Sequence, residues 1–251
     1  MAGIEKQIGQ LEMWIEDSNR IVFFGGAGVS TESGIPDFRG PNGLYKKEKK
    51  ATRSWPVEVL LSRPFFDENP VAFYQYYLQN MLHPQAKPNA AHRRLAQMEQ
   101  EGKLIAVITQ NIDGLHQAAG SKNVLELHGS VARYVCLSCG QRYNQDVIDI
   151  KEKVPICPCG GRIKPDIVLY GEELDEQVLK KSIKAIQNAD LLIVGGTSLT
   201  VYPAAGLLQY AANCRLVIIN QTTTPYDRQA DLLIRASIGS ILDRPQPQNA
   251  V

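Results

Sequence analysis

The sequence lacks the features that mark secreted, membrane-bound or nucleic-acid-binding chains. No apolar run approaches the roughly 20 residues that a membrane-spanning helix needs. Lys and Arg total 27 against 26 for Asp and Glu, so no global field attracts nucleic acid or an anionic membrane. Residues 1–20 place apolar side chains at helical spacing among acidic ones, which predicts an amphipathic helix and not a signal peptide. These absences predict a globular, cytoplasmic protein with neither nucleic acid nor a membrane as a partner.

Cysteine is also scarce, and four of the five residues form two close pairs. Cys136 and Cys139 are separated by two residues, whereas Cys157 and Cys159 are separated by one. Close pairs in a chain without signs of secretion suit a metal better than disulfides. Four thiolates fill the tetrahedral shell of a structural Zn²⁺ and leave no open position for catalysis. The alternatives are four buried free thiols, or a redox pair at Cys136 and Cys139.

Short apolar segments alternate with helical patterns along most of the chain, and no internal repeat interrupts them. Apolar runs of this length, buried on both faces, are typical of parallel strands in an α/β fold. The sequence therefore predicts a Rossmann-like, doubly wound parallel sheet of about six strands. The predicted strands cover 21–24, 104–109, 124–129, 191–194, 215–219 and 231–234, and helices are predicted over 88–101, 175–188 and 203–212.

Two stretches depart from this alternation. Residues 37–85 combine a glycine- and proline-rich loop with an aromatic-rich helical pattern, and 131–170 hold the cysteine pairs. We therefore expect a sheet domain made of 1–36, 86–130 and 171–251. A smaller domain is expected from the cofactor loop and helical insert at 37–85 and the zinc-ribbon insert at 131–170.

The first predicted strand runs directly into Gly25, Gly26 and Gly28. Such a turn lets the backbone approach a ligand, and a helix starting after it would direct free N–H groups at phosphate. The turn departs from the dehydrogenase fingerprint, because Thr31 stands where a third Gly or Ala is expected and no acidic residue ends a second strand about 20 residues later. Hydride transfer is therefore disfavoured, while dinucleotide binding or a plain turn both stay open.

Further polar or small residues follow the other predicted strands: Gln110, Asn111, Asp113, His128, Gly196, Thr197, Ser198 and Asn220. Because parallel strands end at one edge of their sheet, these residues are expected to build one site. A neutral imidazole at His128 suits proton transfer near pH 7, although it could equally be a hydrogen-bonded structural group. Asn111 and Asp113 could bind a ligand or cap the next helix. His92 and His116 are predicted to be structural.

Taken together, these motifs resemble the bacterial-type members of the sirtuin family of NAD-dependent protein deacylases. The resemblance extends from about residue 8 to 241. It is carried by 26–30 followed by 34–39, by 109–113, by 127–129, by the cysteine insert, and by 196–198 with Asn220.

The resemblance implies a role for each set of matching residues. Those implied to bind NAD are Gly26, Ala27, Gly28, Ser30, Thr31, Asp37, Phe38, Arg39, Tyr45, Gln110, Asn111, Ile112, Asp113, His128, Gly196, Thr197, Ser198 and Asn220. Those implied to hold zinc are Cys136, Cys139, Cys157 and Cys159. Those implied to contact the acyl-lysine peptide are Ile167, Val168, Tyr170, Gly171, Glu172 and Val201.

The implied activity is removal of acetyl groups from lysine in proteins or peptides. The acyl oxygen attacks the ribose carbon as nicotinamide leaves, and His128 then accepts a proton from a ribose hydroxyl, with Asn111 and Asp113 assisting. Free lysine and O-acetyl-ADP-ribose result. Two departures stand out, since Tyr170 replaces the usual Phe and the second cysteine pair is tighter than usual. Tyr74–Tyr77 also lacks the Arg of members that prefer acidic acyl groups.

Two other functions remain open from the sequence. An NAD-dependent ADP-ribosyltransferase would use the same pocket without needing His128 for the later steps. A non-catalytic sensor that binds NAD and zinc would need no proton acceptor beside the ribose, which the presence of His128 argues against.

Overall fold

The six predicted strands form one parallel sheet, as the apolar segments indicate. The structure, a computed structural model, describes residues 2–40, 43–46, 55–145 and 154–243. Most of the basic run at 46–53, part of the zinc insert and the Pro/Gln-rich tail lie outside the described residues.

Strands and helices alternate along most of the described chain. The strands are β1 (Ile21–Gly25), β2 (Leu104–Thr109), β3 (Val124–Glu126), β4 (Gly129–Cys136), β5 (Arg142–Asn144), β6 (Ile163–Ile167), β7 (Leu191–Gly195), β8 (Arg215–Ile219) and β9 (Leu232–Ile234). The α-helices are α1 (Ala2–Asp17), α2 (Val57–Leu60), α3 (Arg63–Glu68), α4 (Pro70–Asn80), α5 (Ala90–Gln100), α6 (Leu115–Ala118), α7 (Glu176–Asn188) and α8 (Ile238–Leu242). Short 3₁₀ helices cover Ala27–Val29, Thr31–Ser33, Ala204–Tyr210 and Asp227–Gln229.

The strand order in the large sheet is β3-β2-β1-β7-β8-β9. Counted along the chain, this is the 3-2-1-4-5-6 order of doubly wound folds, in which ligands bind where the order reverses. That reversal lies between β1 and β7, which pair in register so that Gly25 stands opposite Gly195. The fold therefore places the two glycine turns side by side at the carboxyl edge of the sheet.

Both faces of the large sheet are covered, which explains the unbroken apolar character of its central strands. All five residues of β1 and of β7 are buried. On one face α1, α5 and α8 pack against the sheet, and on the other face α7 and the 3₁₀ helix Ala204–Tyr210 do so. The expected N-cap of α5 is present, since the Asn89 side chain accepts hydrogen bonds from the backbone N–H groups of Ala91 and His92.

The two inserts share one apolar cluster although they are far apart in the chain. Strands β5, β4 and β6 form a second, antiparallel sheet. Phe73 and Tyr77 of α4 belong to the same buried cluster as Tyr134 of β4 and Ile163 of β6. This packing supports the prediction of a smaller unit made of both inserts; the domain boundaries themselves stay a prediction.

Two predicted helices differ from those observed. The helix expected after the first glycine turn is wrong, because the chain forms two 3₁₀ turns there, Ala27–Val29 and Thr31–Ser33. The Gly28 N–H donates to the Gly196 carbonyl at 2.8 Å, so this segment is held against the second turn instead of extending as an α-helix. The helix near 203–212 is likewise a 3₁₀ helix, Ala204–Tyr210.

The helices show no candidate for a membrane span. None of those within the described ranges combines the length and the apolar character that crossing a bilayer requires.

Candidate functional site

A cleft of about 410 Å³ lies at the carboxyl edge of the large sheet, with residues of both inserts on its far side. Nearly all the predicted NAD-binding residues line it: Gly26, Ala27, Gly28, Ser30, Thr31, Asp37, Phe38, Arg39, Gln110, Asn111, Ile112, Asp113, His128, Gly196, Thr197, Ser198 and Asn220. The predicted substrate residues line it as well: Ile167, Val168, Tyr170, Gly171, Glu172 and Val201. Tyr45 lies behind the lining, against Phe38 and Arg39.

The two glycine turns are in direct contact at the floor of the cleft. A Cβ added to Gly28 would lie 2.7 Å from the Gly196 Cα, and one added to Gly26 would lie 2.8 Å from the Thr197 Cβ. Gly196 itself has a φ of +60°, which favours glycine. Glycine is therefore required at these positions for the close approach of the turns, before any ligand is considered.

Ser30, Asn111 and Asp113 form a hydrogen-bonded cluster beside the first turn. The Ser30 hydroxyl donates to Asp113 Oδ2 at 2.6 Å and accepts from Asn111 Nδ2 at 3.1 Å. The other Asp113 oxygen, Oδ1, accepts at 2.9 Å from the N–H of Leu115, the first residue of α6, although Gly114 is the N-cap. Contact with the start of α6 and ligand binding are therefore compatible roles of Asp113, because this hydrogen bond fixes the carboxylate in the cleft wall.

His128 is held in a defined tautomer in the short connection between β3 and β4. Its Nδ1 lies 2.9 Å from the Gln110 carbonyl oxygen. A carbonyl can only accept, so Nδ1 carries the proton and Nε2 keeps its lone pair. Burial lowers the pKa of His128 below its ordinary value of 6.5, and the hydrogen bond to Gln110 opposes this only in part. The ring is therefore neutral near pH 7 and able to accept a proton at Nε2.

The opposite wall of the cleft is fixed by a partly buried ion-pair cluster. Glu172 Oε2 accepts from Lys164 Nζ at 3.0 Å and from the Leu169 N–H at 2.8 Å, while Oε1 accepts from Arg63 Nη1 at 3.0 Å. Lys164 is buried, and this burial lowers its pKa. The Glu172 side chain thus joins β6, the helical insert and the loop that bears Tyr170, a role that its sequence context does not indicate.

Several lining residues were given no individual role by the sequence: Ile35, Pro36, Leu44, Leu61, Asn80, Met81, His83, Pro203, Gln221, Thr222, Ser237 and Ile238. Ser237 and Ile238 follow the carboxyl end of β9, so the strand-end rule would have included them. Asn80, Met81 and His83 end the helical insert, and no sequence pattern connects them to the sheet edge.

The four paired cysteines come together as predicted. Their sulfur atoms all lie within 4.8 Å of one another, with Cys136 Sγ 3.5 Å from Cys159 Sγ and Cys139 Sγ 3.7 Å from Cys157 Sγ. Zn–S bonds of about 2.3 Å in a tetrahedron place sulfurs roughly 3.8 Å apart, so the cluster suits Zn²⁺. The sulfurs come from the end of β4 and from the loop before β6. Four thiolates leave no open position on the ion, so a zinc held there fits a structural role.

A phenol supports one of these sulfurs. The Tyr143 hydroxyl lies 3.0 Å from Cys157 Sγ. That hydrogen bond is the main reason why the pKa of the Cys157 thiol falls to about 6. A thiolate is the form that binds zinc, so β5 contributes to the site without supplying a ligand.

Comparison with known proteins gives relatives that match over nearly the whole chain. The model of the Sir2 family matches residues 26–203. An NAD-dependent protein deacetylase of Clostridium acetobutylicum is 54% identical over 239 residues, covering 94% of this chain and 97% of that protein. A protein of the same description from Cutibacterium acnes is 52% identical over 237 residues, covering 94% and 96%.

Solved structures agree with this placement. A Sir2 structure with a deacetylated p53 peptide and 3′-O-acetyl-ADP-ribose is 40% identical, with a TM-score of 0.85 and coverage of 94% of this chain and 95% of that one. A Sir2 structure bound to a propionylated peptide is 37% identical, with a TM-score of 0.82 and coverage of 94% and 95%. By the family match and by these identities, the chain belongs to the Sir2 family, the sirtuins.

Proposed function

We propose that this protein is an NAD-dependent protein lysine deacetylase that forms nicotinamide, O-acetyl-ADP-ribose and free lysine. The observation that carries the proposal is the convergence of three groups on one cleft. These are the paired glycine turns, the Ser30–Asn111–Asp113 cluster and a neutral His128 facing the same space. Relatives named as NAD-dependent protein deacetylases at 54% and 53% identity support it.

The residues of the large sheet would bind and orient NAD. The Arg39 guanidinium suits the pyrophosphate, which can approach the turns closely because their glycines carry no side chain, and Asn220 at the end of β8 suits a ribose hydroxyl. Asp113, fixed by its hydrogen bonds with Ser30 and with the Leu115 N–H, would hold the nicotinamide carboxamide together with Ile112. Phe38 would cover the reacting face of the sugar and exclude water.

NAD supplies the ribose carbon that receives the acyl oxygen, with nicotinamide as the leaving group. His128 would then accept a proton at Nε2 from a ribose hydroxyl, since Nδ1 is already committed to Gln110. The backbone carbonyl of His128 accepts a hydrogen bond from the Val168 N–H at 3.0 Å. This bond connects His128 to the wall of the cleft that is proposed to contact the acyl-lysine. The base and the channel for the modified lysine are therefore held in a fixed relation.

Acetylated lysine in an extended peptide is the proposed partner. Several N–H and C=O groups near Tyr170 are used within the chain, since its N–H donates to Leu61 and its carbonyl accepts from Arg63. Gly171 and the segment 199–202 on the other side are the proposed edges for pairing with a peptide. Solved Sir2 structures hold p53 and propionylated peptides.

The proposed location is the cytoplasm. None of the five cysteines forms a disulfide, which supports this proposal because disulfides are rare in reducing compartments.

The lining of the cleft favours uncharged acyl groups. Arg39 is the only Lys or Arg among its described lining residues. Tyr74 and Tyr77 are buried in the insert core, where the Tyr74 hydroxyl donates to the Ile163 carbonyl at 2.8 Å. No guanidinium is thus supplied there for an acyl carboxylate. Acetyl, and longer uncharged acyl groups such as propionyl, are the proposed substrates.

The test is mass spectrometry of an acetyl-lysine peptide incubated with the protein, with and without NAD. We expect acetyl loss only with NAD, together with nicotinamide and O-acetyl-ADP-ribose. His128→Asn should lower deacetylation by about 10²–10⁴-fold, the usual contribution of a general base. Because the pKa of His128 is lowered, the acid limb of the kcat/KM profile should lie below pH 6.5.

The same experiment separates the alternative functions. Acetyl loss without NAD would contradict the proposal. An ADP-ribosyltransferase would instead label protein, and its labelling would survive His128→Asn. A non-catalytic sensor would bind NAD yet release no nicotinamide when the acetyl-peptide is added.

A further inference from the structure

Two tyrosine hydroxyls connect segments that are 125 residues apart. The hydroxyl oxygens of Tyr45 and Tyr170 lie 2.5 Å apart and share a hydrogen bond. The resemblance to the family implies a Phe at position 170, which would lack the hydroxyl of this pair.

Tyr45 is attached to the segment that is predicted to cover NAD. Its N–H donates to the Phe38 carbonyl at 3.1 Å, and the neighbouring Leu44 N–H donates to the Asp37 carbonyl at 2.9 Å. The Phe38 ring meets the Tyr45 ring edge to face, with centroids 5.8 Å apart. The Arg39 guanidinium carbon lies 5.2 Å from the Tyr45 ring centroid. Tyr45 is thus in contact with both Phe38 and Arg39 through a backbone hydrogen bond and through its ring.

Tyr170 is attached to the opposite wall, which is well fixed. Its N–H donates to the Leu61 carbonyl at 3.0 Å, and its carbonyl accepts from the Arg63 N–H at 2.9 Å. The preceding N–H, of Leu169, donates to Glu172, which is itself paired with Lys164. Tyr170 is 38% exposed and lines the cleft. Its hydroxyl thus offers a stationary partner at the mouth of the acyl-lysine channel.

The hydroxyl of Tyr45 is suited to a hydrogen bond with Tyr170. Burial raises the pKa of Tyr45 above its ordinary value of 10.0, and the hydrogen bond to Tyr170 acts in the same direction. The phenol therefore stays protonated at any physiological pH. A partly buried hydroxyl that keeps its proton needs a hydrogen-bond partner, and a Phe at position 170 would not supply one.

We propose that Tyr170 is a positioning residue for the cofactor: its hydroxyl, through Tyr45, holds Phe38 and Arg39 over the NAD site. Since Tyr170 also lines the acyl-lysine channel, the pair couples the two sites. An acyl-lysine that displaces the Tyr170 ring changes the affinity for NAD, and NAD changes the affinity for the acyl-lysine by the same factor. This inference rests on the proposed function for the identity of the two ligands.

The experiment is a double-mutant cycle read out by NAD binding in the absence of peptide. Tyr170→Phe and Tyr45→Phe each remove one oxygen, and the double variant removes both. By titration calorimetry, each single variant should bind NAD about two- to tenfold more weakly, which corresponds to the typical net free-energy contribution of one neutral hydrogen bond. The double variant should bind no more weakly than either single variant, because all three lose the same bond.

Tyr210→Phe is the matched control, since Tyr210 lies in the 3₁₀ helix of the large-sheet unit and does not line the cleft. Its affinity for NAD should equal that of the wild type. In steady-state assays, the single variants should raise the KM for NAD by a larger factor than they lower kcat at saturating NAD. A general loss of structure would lower kcat without this selective rise in the KM for NAD.

A second measurement tests the coupling. The Kd for ADP-ribose should differ between samples with and without saturating acetyl-lysine peptide, and Tyr170→Phe should bring that ratio closer to one. Unchanged Kd values in Tyr170→Phe, or fully additive losses in the double variant, would overturn the inference. A wild-type protein that binds NAD but does not turn over the acetyl-peptide would instead overturn the proposed function. In that case the double-mutant cycle would still decide whether the Tyr45–Tyr170 hydrogen bond positions Phe38 and Arg39.

Discussion

Three histidines of the large-sheet unit differ in how their ring nitrogens are satisfied. His128 has the Gln110 carbonyl, and His92 Nδ1 lies 3.0 Å from Asn89 Oδ1. His92 Nε2 and both nitrogens of His116 find no hydrogen-bond partner among the described residues. The rings of His92 and His116 lie 4.7 Å apart. Burial lowers the pKa of His92 to about 4 and that of His116 to about 3.

These two histidines, His92 and His116, should make the fold acid-sensitive. Below pH 6.5 the unfolded chain takes up protons on both rings, whereas the folded chain does so only near pH 3–4. The unfolded state therefore binds more protons in that window, and stability falls as the pH decreases through it. At pH 5 the expected loss is on the order of 2 kcal/mol for each ring, relative to pH 7.5. Urea denaturation at pH 7.5, 6 and 5 measures it.

His116→Leu isolates the contribution of one ring. The variant should lose less stability than the wild type between pH 7.5 and 5, by roughly the share of one imidazole. Other groups that titrate between pH 7.5 and 5, including the cysteine thiolates, are the same in both proteins, so their contributions to the pH dependence of stability cancel in the comparison. Equal pH dependence of the two proteins would mean that His116 protonates in the folded state as it does in the unfolded one.

At the scale of elements, the strands were the most predictable part. A parallel strand covered on both faces must be apolar throughout, so β1, β2, β7 and β8 stand out as continuous apolar runs. The placement of the site followed from the same property, because polar residues just beyond such strands meet at one edge. The paired spacing of the four cysteines was equally informative, since a close pair is a local feature.

The contacts that shape the cleft were not predictable from the sequence. The Ser30–Asp113 bond joins residues 83 positions apart, and Arg63–Glu172 joins residues 109 apart. No local pattern encodes such pairs; they exist because the sheet order and the shared core of the inserts bring the elements together. The 3₁₀ turns after β1 arise in the same way, from contact with a second turn that lies far along the chain.

The cysteine cluster should make the small sheet dependent on metal. We expect one Zn²⁺ per chain by elemental analysis, and Cys159→Ser should lose most of it because the shell would keep three thiolates. Since Tyr134 of β4 and Ile163 of β6 belong to the buried cluster of the helical insert, loss of zinc should also loosen the cleft wall at 167–170, the proposed acyl-lysine contact. Limited proteolysis should then cut the inserts before the large sheet.

Cys214→Ser provides the matched control for this experiment. Cys214 precedes β8 in the large-sheet unit, apart from the cluster, and is partly exposed. Its replacement should leave zinc content and the proteolysis pattern unchanged. Full zinc occupancy in Cys159→Ser would show that the fourth ligand is supplied elsewhere and would contradict the assigned ligand set.

At the scale of the whole molecule, the cleft lies between apolar clusters that share no buried residue. The large sheet has one cluster on each face, and the inserts have a third. In chain order, the helical insert lies between β1 and β2 of the large sheet, and the cysteine insert lies between β3 and β7. The turns after β1 and β7 are thus separated by most of the chain, yet they pack backbone to backbone.

This arrangement predicts that NAD stabilises the whole protein through the paired turns. At 100 times its Kd, NAD should stabilise the folded state by about 2.7 kcal/mol. For a domain of this size the melting temperature should then rise by about 5–10 °C. Gly28→Ala would place a Cβ 2.7 Å from the Gly196 Cα and force the turns apart. The variant should therefore melt at a lower temperature without NAD and lose most of the increase with it.

Gly9→Ala is the matched substitution for that melting experiment. Gly9 is exposed in the middle of α1, and an added Cβ meets no atom within 4 Å. The Ala should leave the melting temperature equal or slightly higher, because Gly costs a helix interior about 0.5–1 kcal/mol, and the increase with NAD should be unchanged. If Gly28→Ala kept the full increase, the close contact of the two turns would not be what shapes the NAD site. The glycines would then serve the packing of β1 against β7 alone.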